Sequence, residues 1–482
     1  MTHSVARPNQ AELTSVIELV AREASRYLET LDELPVRHPN SSEVARSFDA
    51  PFPEEGSGAV ETLRELIEKG LEAGVNSAGP RFFHWVIGGT TPAALGADWL
   101  ATTLDQLSSG WPTSPLAVQL ELVSLQWLKE LFRLDPAMHG YITTGAMMAN
   151  YTGLAAGRQW SGELQGVDVA QQGLHAIDPV PVFTSGLVHV TSYKSLAMLG
   201  MGRNVMTKFS RDAFGRLDPI AMEAALVARE GKPSIIIANA GEVNAGEFDP
   251  IEQMADLAKK YNAWLHVDGA FGLFATTSPR TAHLCAGVER ADSVTVDGHK
   301  WLNVPYDCGF SFVRDSRLMA RVFSMDADYL PDPEVEPMQA FLGPDSSRRA
   351  RSLSVWATLR AYGKSHVREM VERHLDLAQH LARRVDESPV LTRLAEVPLN
   401  IVCFRFEPVH RSTSEAELDR INDAIGAAII EDGRVYAGVT KYEGKTAMRP
   451  AIVNWRTREK DIDLLVDVIE DLGARVSQEH AL

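Results

Sequence analysis

Three short stretches of this chain carry side chains suited to carbonyl chemistry. The first, "SVTVDGHK" (residues 293–300), closes a strand-like apolar run with Asp297, His299 and Lys300. A lone lysine is by default exposed and structural. Here the flanks, "SVTV" and "WLNVPYDCGF", have the composition of buried segments, and a desolvated lysine is an amine nucleophile for carbonyl groups. The second stretch, "AWLHVDGAFG", places Asp268 directly after another such run. A buried carboxylate needs a partner: a helix start, an arginine or a cationic ligand atom. Asp268 and Lys300 lie 300 − 268 = 32 residues apart, about one βαβ crossover. Neighbouring strand ends would bring both side chains to one pocket.

The third stretch is "VFTSGLVHVTSYKSLAMLG", in which His189 precedes an apolar-periodic helix. Thr191 and Ser192 suit an N-cap; the flat imidazole of His189 suits the face of a planar ligand. A fourth, "ITTGAMMAN" (residues 142–150), opens a helix at Thr144 and Gly145, and a helix start with small residues accommodates phosphate. Phosphate, an acid for a ring nitrogen, a lysine for an aldehyde and a flat face together specify pyridoxal phosphate. A metal site is not expected: the histidines are scattered, and neither HExxH nor paired-cysteine spacing occurs.

The 482 residues that must position these groups are 45% hydrophobic and 23% charged, with a net charge of −17. That composition is of a soluble globular protein, long enough for a large core and a smaller domain. With no basic cluster, nucleic acid and anionic membrane are not expected as partners. No apolar run reaches the roughly 18 residues of a membrane span. Cys285, Cys308 and Cys403 suit neither a disulfide framework nor a zinc knuckle, which points to a reducing compartment. The polar start "MTHSVARPNQAELTSV" lacks the apolar centre of a signal peptide, so a cytoplasmic location is expected.

Leu13, Val16, Ile17, Val20, Ala24, Tyr27 and Leu28 share one helical face. This opening helix either reaches a partner subunit as an arm or packs on its own domain; residues 1–89 are taken as the N-terminal helical arm. From residue 90 to 358, helical patterns such as "LAVQLELVSLQWLKELF" alternate with "PVPVFTS", "PSIIIAN", "AWLHVD" and "DSVTVD". Short apolar runs of this kind suit buried strands of a parallel sheet. The alternation predicts a doubly wound α/β domain, with ligands at the carboxyl ends of its strands. Residues 359–482 change character. Long helical stretches lead to "NIVCFRF", "RVYAGVT" and "TAMRPAIVN", then to a last helix after Thr457 with Ile462, Leu465, Val466, Ile469 and Leu472 on one face. This predicts a small C-terminal α+β domain.

The segments "HVDGAFG" and "DGHKWLNVPYDCG", in this order and at this spacing, resemble the two hallmark segments of the group II pyridoxal-phosphate-dependent amino acid decarboxylases. That family includes aromatic-amino-acid, glutamate, tyrosine and histidine decarboxylases, and the resemblance runs from about "GPRFFHW" to the C-terminus. It implies the type I, aspartate aminotransferase-like fold, a homodimer with its active site at the subunit interface, and conversion of an L-amino acid to an amine and carbon dioxide. By the same resemblance, Lys300 bonds the cofactor aldehyde and Asp268 binds the ring nitrogen. Ala270 and His189 take the two ring faces, and His299 and Asp297 sit near the phosphate. His266 is similar to the strand histidine of the motif; a core histidine explains it equally well. Tyr329 in "SMDADYLPD" matches the family's loop tyrosine, a proton donor after loss of carbon dioxide, against the reading of an ordinary loop tyrosine. Arg349 and Arg351 resemble the arginines that follow that loop; Arg351 either positions loop or substrate or forms an interface ion pair. Phe83, His84, Trp85 and Trp111 fall where family members line the substrate entrance, which implies an apolar, aromatic-leaning pocket.

Two departures from the family pattern stand out. "GAMMAN" replaces Gly-Gly-Thr/Ser-Glu-Ala-Asn, so the backbone N–H groups of Ala146 and Met147, with Thr144 and Gly145, are expected to carry more of the phosphate contact. Glu242 stands where a hydroxyl usually faces the cofactor's phenolic oxygen, and an anion there is repulsive unless protonated or turned away. Three other activities remain open on this scaffold. One is an aminotransferase, for which Arg449 is a candidate carboxylate partner. A second is a carbon–carbon lyase, and the third is a non-catalytic cofactor-binding protein. An aldehyde synthase is disfavoured by Tyr329.

Overall fold

The computed structural model describes residues 9–325, 336–408 and 414–479. Seven strands form the larger sheet: β1 (His139–Thr143), β2 (Val182–Thr184), β3 (Met206–Lys208), β4 (Ser234–Asn239), β5 (Ala263–Asp268), β6 (Ser293–Asp297) and β7 (Gly309–Val313). Their spatial order is β1-β7-β6-β5-β4-β2-β3. The four expected runs are β2, β4, β5 and β6, which pair in parallel. Every residue of β4, β5 and β6 is buried, because helices cover both faces of the sheet and leave no polar side.

The sheet is not wholly parallel, as expected from sequence, but mixed. β7 runs antiparallel to both β6 and β1. A parallel return needs a crossover of a dozen or more residues, usually helical. Residues 298–308 contain no helix, so the chain after Asp297 doubles back. That short return holds the Lys300 segment against the carboxyl edge of the sheet.

A second sheet, in the order β10-β11-β9-β8, is antiparallel. It contains β8 (Leu391–Arg393), β9 (Phe404–Phe406), β10 (Val439–Tyr442) and β11 (Lys445–Met448). β8 had no signal in the sequence and β10 begins only at the end of its run, while β9 and β11 are shorter than the runs that signalled them: Pro450 cannot donate to a ladder, and Ile401, Ala451 and Val453 pack instead into the larger core. The helix Glu459–Glu479 buries Ile462, Leu465, Val466, Ile469 and Leu472, as its pattern predicts. A long helix, Ser352–Glu387, is interrupted at Gly363 and joins the two cores. Leu375 belongs to the larger and Leu377 to the smaller.

The first helix, Gln10–Thr30, is capped by Asn9, whose side chain accepts the Glu12 N–H at 3.0 Å. Its one fully buried residue is Leu19, off the expected face, while Leu13 and Ile17 stay exposed. Within one chain Val16, Val20, Ala24, Tyr27 and Leu28 of the stripe are half-buried, and its Leu13 and Ile17 are uncovered.

Candidate active site

The carboxyl ends of the strands bring the chemistry-bearing residues together. Asn239 of β4 and Asp268 of β5 are register partners, so both side chains emerge at the same level. Beyond them a cavity of about 320 Å3 is lined by Thr144, Gly145, Ala146, Met147, His189, Glu242, Asp268, Ala270, Asp297, His299 and Lys300, among others. All the residues expected to bind the cofactor thus face one space. Thr191, read from sequence as a helix cap, and Asn239, which closes the run "PSIIIAN", also line it, as do Leu187 and Phe271, which nothing in type or spacing had singled out.

Lys300 Nζ lies 3.1 Å from Asp297 Oδ2, and both side chains are largely buried. The other oxygen of Asp297 accepts the Ala146 N–H at 2.5 Å and stands 3.5 Å from His299 Nε2. Asp297 therefore ties the lysine, the histidine and the helix start into one cluster. It also corrects an expectation: the Ala146 N–H is taken up by Asp297 and is not free for phosphate. Met147 and Met148 line the cavity in the same turn, and first-turn N–H groups have no partner inside a helix. His299 Nδ1 accepts the Cys308 N–H at 3.2 Å, and its ring stacks on Tyr306 at 4.2 Å. Burial lowers the His299 pKa, opposed by Asp297.

The Lys300 segment is braced from outside. Gly88 donates its N–H to His299 O, and a Cβ at Gly88 would lie 1.7 Å from Lys300 O. Only glycine permits that approach. Asn303 donates to Trp301 O and Val453 O, and its own Oδ1 accepts the Trp455 N–H. The segment around Val453 and Trp455 thus buttresses the lysine loop.

His189 is itself the N-cap of the helix Val190–Met198, a role sequence assigned to Thr191 and Ser192. Its Nδ1 is 2.8 Å from Thr191 Oγ1, which fixes the ring plane at the cavity wall. Burial lowers its pKa. Asp268 accepts the Ala270 N–H on Oδ1 at 3.2 Å and the Asn150 amide on Oδ2 at 2.9 Å. Asn150 closes "GAMMAN" and faces the sheet one turn after Ala146; that helical spacing was the available signal for it.

Glu242 is turned into its own loop. Oε1 accepts from Asn244 N at 2.8 Å and from the Asn244 amide, and Oε2 accepts from Ala245 N at 2.8 Å. Burial raises its pKa, opposed by these three donors and by nearby Arg449. Arg449 is itself buried, and its Nε and Nη1 have no hydrogen-bond partner. Its charge helps to lower the pKa values of His84 and His189.

The residues expected at the substrate entrance do not line this cavity within one chain. His84 packs against Trp85 and Tyr436, and burial pushes its pKa down to about 4. Phe83 is buried in the smaller core, Trp85 is exposed, and Trp111 donates its N–H to Pro337 O. Arg351 pairs with Asp307 at 2.7 Å, and Arg349 with Asp98 at 2.7 Å. Tyr329 lies outside the described residues.

A lysine, a carboxylate, a flat imidazole and a helix start around one cavity at a sheet's carboxyl edge are the parts of a pyridoxal phosphate site. Comparison with known proteins agrees. The family described as "Pyridoxal-dependent decarboxylase conserved domain" matches residues 42–407. An aromatic-L-amino-acid decarboxylase of Bacillus atrophaeus is 28% identical over 459 residues, covering 94% of this chain and 93% of that protein. An L-2,4-diaminobutyrate decarboxylase of Rhizobium meliloti (strain 1021) is 30% identical over 440 residues, covering 89% and 85%. Among solved structures, Oryza sativa TDC with PLP and tryptamine superposes with a TM-score of 0.89 at 22% identity, covering 98% of this chain and 99% of that one. The chain belongs to the pyridoxal-dependent decarboxylase family. It has that family's type I fold, takes pyridoxal phosphate as cofactor and is an amino acid carboxy-lyase.

Proposed function

We propose that this carboxy-lyase converts an aromatic L-amino acid to its amine and carbon dioxide, as a cytoplasmic homodimer. The reading rests on the convergence of Lys300, Asp268, His189 and the start of the helix Ala146–Glu163 on one cavity. Pyridoxal phosphate supplies the electron sink for the carbon–carboxyl bond; the chain's side chains bind and orient. Lys300 offers its amine to the aldehyde, and Asp297 holds that amine beforehand. Asp268 meets the ring nitrogen, His189 and Ala270 cover the ring faces, and the phosphate lies at Thr144, Gly145, Met147 and Met148 with His299 near by. The three donors that draw Glu242 into its loop support its being no obstacle to the phenolic oxygen. Tyr329 returns the proton to Cα.

The unpaired buried guanidinium of Arg449 supplies positive charge for a substrate carboxylate, since a buried charge seeks a partner. The ring cluster of His84, Trp85 and Tyr436 supports an aromatic side chain in the substrate. A second copy of the chain, covering Leu13, Ile17, Leu100 and Leu104, brings Trp111 and the Arg351 segment to the shared entrance. Residues 1–89 serve as the arm, 90–358 as the cofactor domain and 359–482 as the small domain.

The test is a carbon dioxide assay on a panel of amino acids, coupled to borohydride reduction of the protein. We expect carbon dioxide from aromatic substrates and a pyridoxyl label on Lys300. A label on another lysine sinks the site. Keto acid without carbon dioxide makes the protein an aminotransferase, and a labelled protein that turns over nothing makes it a binding protein.

A further inference from the structure

Asp268 is not held by its strand alone. Asn150 Nδ2 donates to Asp268 Oδ2 at 2.9 Å, and Asn150 Oδ1 lies 2.8 Å from His266 Nε2. His266 Nδ1 lies 2.7 Å from Ser293 Oγ, which also accepts the Trp264 indole N–H at 2.9 Å. Asn150, His266 and Ser293 are fully buried and Trp264 nearly so. None of the four lines the cavity; only Asp268 does.

The Asp268 carboxylate accepts at both oxygens, and that acceptor end fixes the direction of the chain. The amide nitrogen of Asn150 must therefore face Asp268, which leaves its oxygen toward His266. His266 then carries its proton on Nε2 and is bare at Nδ1. The Ser293 hydroxyl donates to Nδ1, while its oxygen receives the Trp264 N–H. Turning the Asn150 amide round would set its oxygen against the Asp268 carboxylate, a buried acceptor facing an acceptor, which costs the desolvation of both. Burial also pushes the His266 pKa down to about 4, in keeping with a neutral ring.

The sequence builds this line simply. Trp264, His266 and Asp268 alternate along β5 and so share a face, and Ser293 of β6 is the register partner of His266. Asn150 comes from the helix Ala146–Glu163, which can press close because of its glycines. A Cβ at Gly153 would lie 3.0 Å from the His266 ring, and one at Gly157 would lie 2.9 Å from the Trp264 ring.

We propose that Asn150 and His266 are positioning residues: with Ser293 and Trp264 they form a one-way hydrogen-bond chain that locks the Asp268 carboxylate from behind and aims it at the cofactor's ring nitrogen. This rests on the assignment of Asp268 to that nitrogen. A carboxylate free to rotate would share its charge among orientations; a locked one presents it at one place, which is the meaning of preorganisation.

The test combines a spectroscopic and a kinetic measurement on the cofactor-loaded protein. With ring-15N-labelled histidine, the signal lost in His266→Gln should be that of a neutral Nε2–H tautomer at neutral pH. Asn150→Ala should lower kcat on the order of tenfold to a hundredfold, as expected for one hydrogen bond to a charged group, with KM little changed. It should also raise the cofactor's dissociation constant. The double variant Asn150→Ala/His266→Gln should lose no more than Asn150→Ala alone, because both cut one chain. Ser293→Ala removes only a hydroxyl. Even if Asn150→Ala fails to fold, Ser293→Ala must shift the His266 signal and weaken cofactor retention. An Nδ1–H tautomer, a charged imidazole, additive losses or a Ser293→Ala protein identical to wild type would each overturn the proposal. If Asp268→Ala keeps its turnover, the assignment of Asp268 fails; if it is crippled while Asn150→Ala is normal, only the positioning chain fails.

Discussion

His374 should make the fold acid-sensitive in a way one substitution can read. It sits on the long helix Ser352–Glu387 with no exposed surface. Its Nδ1 accepts the Trp301 indole N–H at 2.8 Å, and its Nε2 donates to Asn454 O at 3.0 Å. The ring is therefore held neutral between Trp301, the residue after Lys300, and the backbone of Asn454. Burial first, then the charge of Arg373, pushes its pKa from 6.5 down to about 3. A base whose pKa is lower folded than unfolded stabilises fully above the unfolded value and loses that stabilisation as pH falls. The loss is about 1.4 kcal/mol per pH unit below about 6.5, hence about 2 kcal/mol by pH 5.

Other groups titrate in the same window. His266, with a pKa of about 4, adds a loss of the same sign and similar size by pH 5. Asp249 opposes it: burial raises its carboxyl pKa to about 6, so protonation on acidification relieves a cost and returns roughly 1 kcal/mol. The wild-type pH profile is thus a sum, and the difference between wild type and His374→Gln isolates one contribution. Glutamine can accept and donate at the same site but does not titrate. Urea unfolding at pH 7.5 and pH 5, at matched protein and cofactor concentrations, should show the wild-type advantage over the variant shrinking by about 2 kcal/mol in acid. An advantage that stays constant between the two pH values would refute the argument.

Asp268→Ala should reduce kcat by on the order of a hundredfold or more, and Asp268→Glu by much less, since only the first removes the charge facing the ring nitrogen. Steady-state assays decide this, and a near-normal alanine variant contradicts the site. Sedimentation velocity should give a particle of about twice the 52.9 kDa chain mass; an active monomer rules out the shared entrance. Tyr329→Phe should slow amine formation while carbon dioxide release continues, and in air it should yield some aldehyde, ammonia and peroxide. An unchanged amine rate without aldehyde assigns the proton to another group.

The large sheet was legible in sequence where the residues are buried on both faces. "SIIIAN", "AWLHVD" and "SVTVD" are short, apolar and closed by a polar residue, and each is a strand. β1 and β3 were not foreseen. "HGYIT" mixes exposed and buried positions, and "MTK" is mostly exposed, so neither has a continuous apolar run to signal it. The antiparallel β7 was hidden for a different reason. Its residues read as one buried stretch with the Lys300 segment, and only the absence of a helix between Asp297 and Gly309 tells that the chain turns back. On the opening helix, periodicity marked a stripe, but a stripe does not say what covers it; Leu13 and Ile17 are exposed in the single chain.

The candidate site was legible where chemistry is tied to one residue type, as with Lys300, Asp268 and His189. It was illegible where the role depends on a neighbour's hydrogen. Asn150, Ser293 and Trp264 are unremarkable in sequence, and His266 read equally well as core. What distinguishes them is polarity, set by a group that can only accept or only donate: the Asp268 carboxylate at one place and the Trp301 indole N–H at the other. Asn150, turned by Asp268, receives the His266 Nε2 proton and leaves Nδ1 to the Ser293 hydroxyl; Trp301 forces His374 to turn its proton to Asn454. The tautomers of two buried histidines are thereby fixed, one behind Asp268 and one against Trp301, the residue after Lys300. Asp268 and the segment that carries Lys300 are thus each braced by a buried imidazole whose proton has one place to go. A leucine at position 301 would open a cavity in the core and also leave His374 Nδ1 short of a donor in the protein interior.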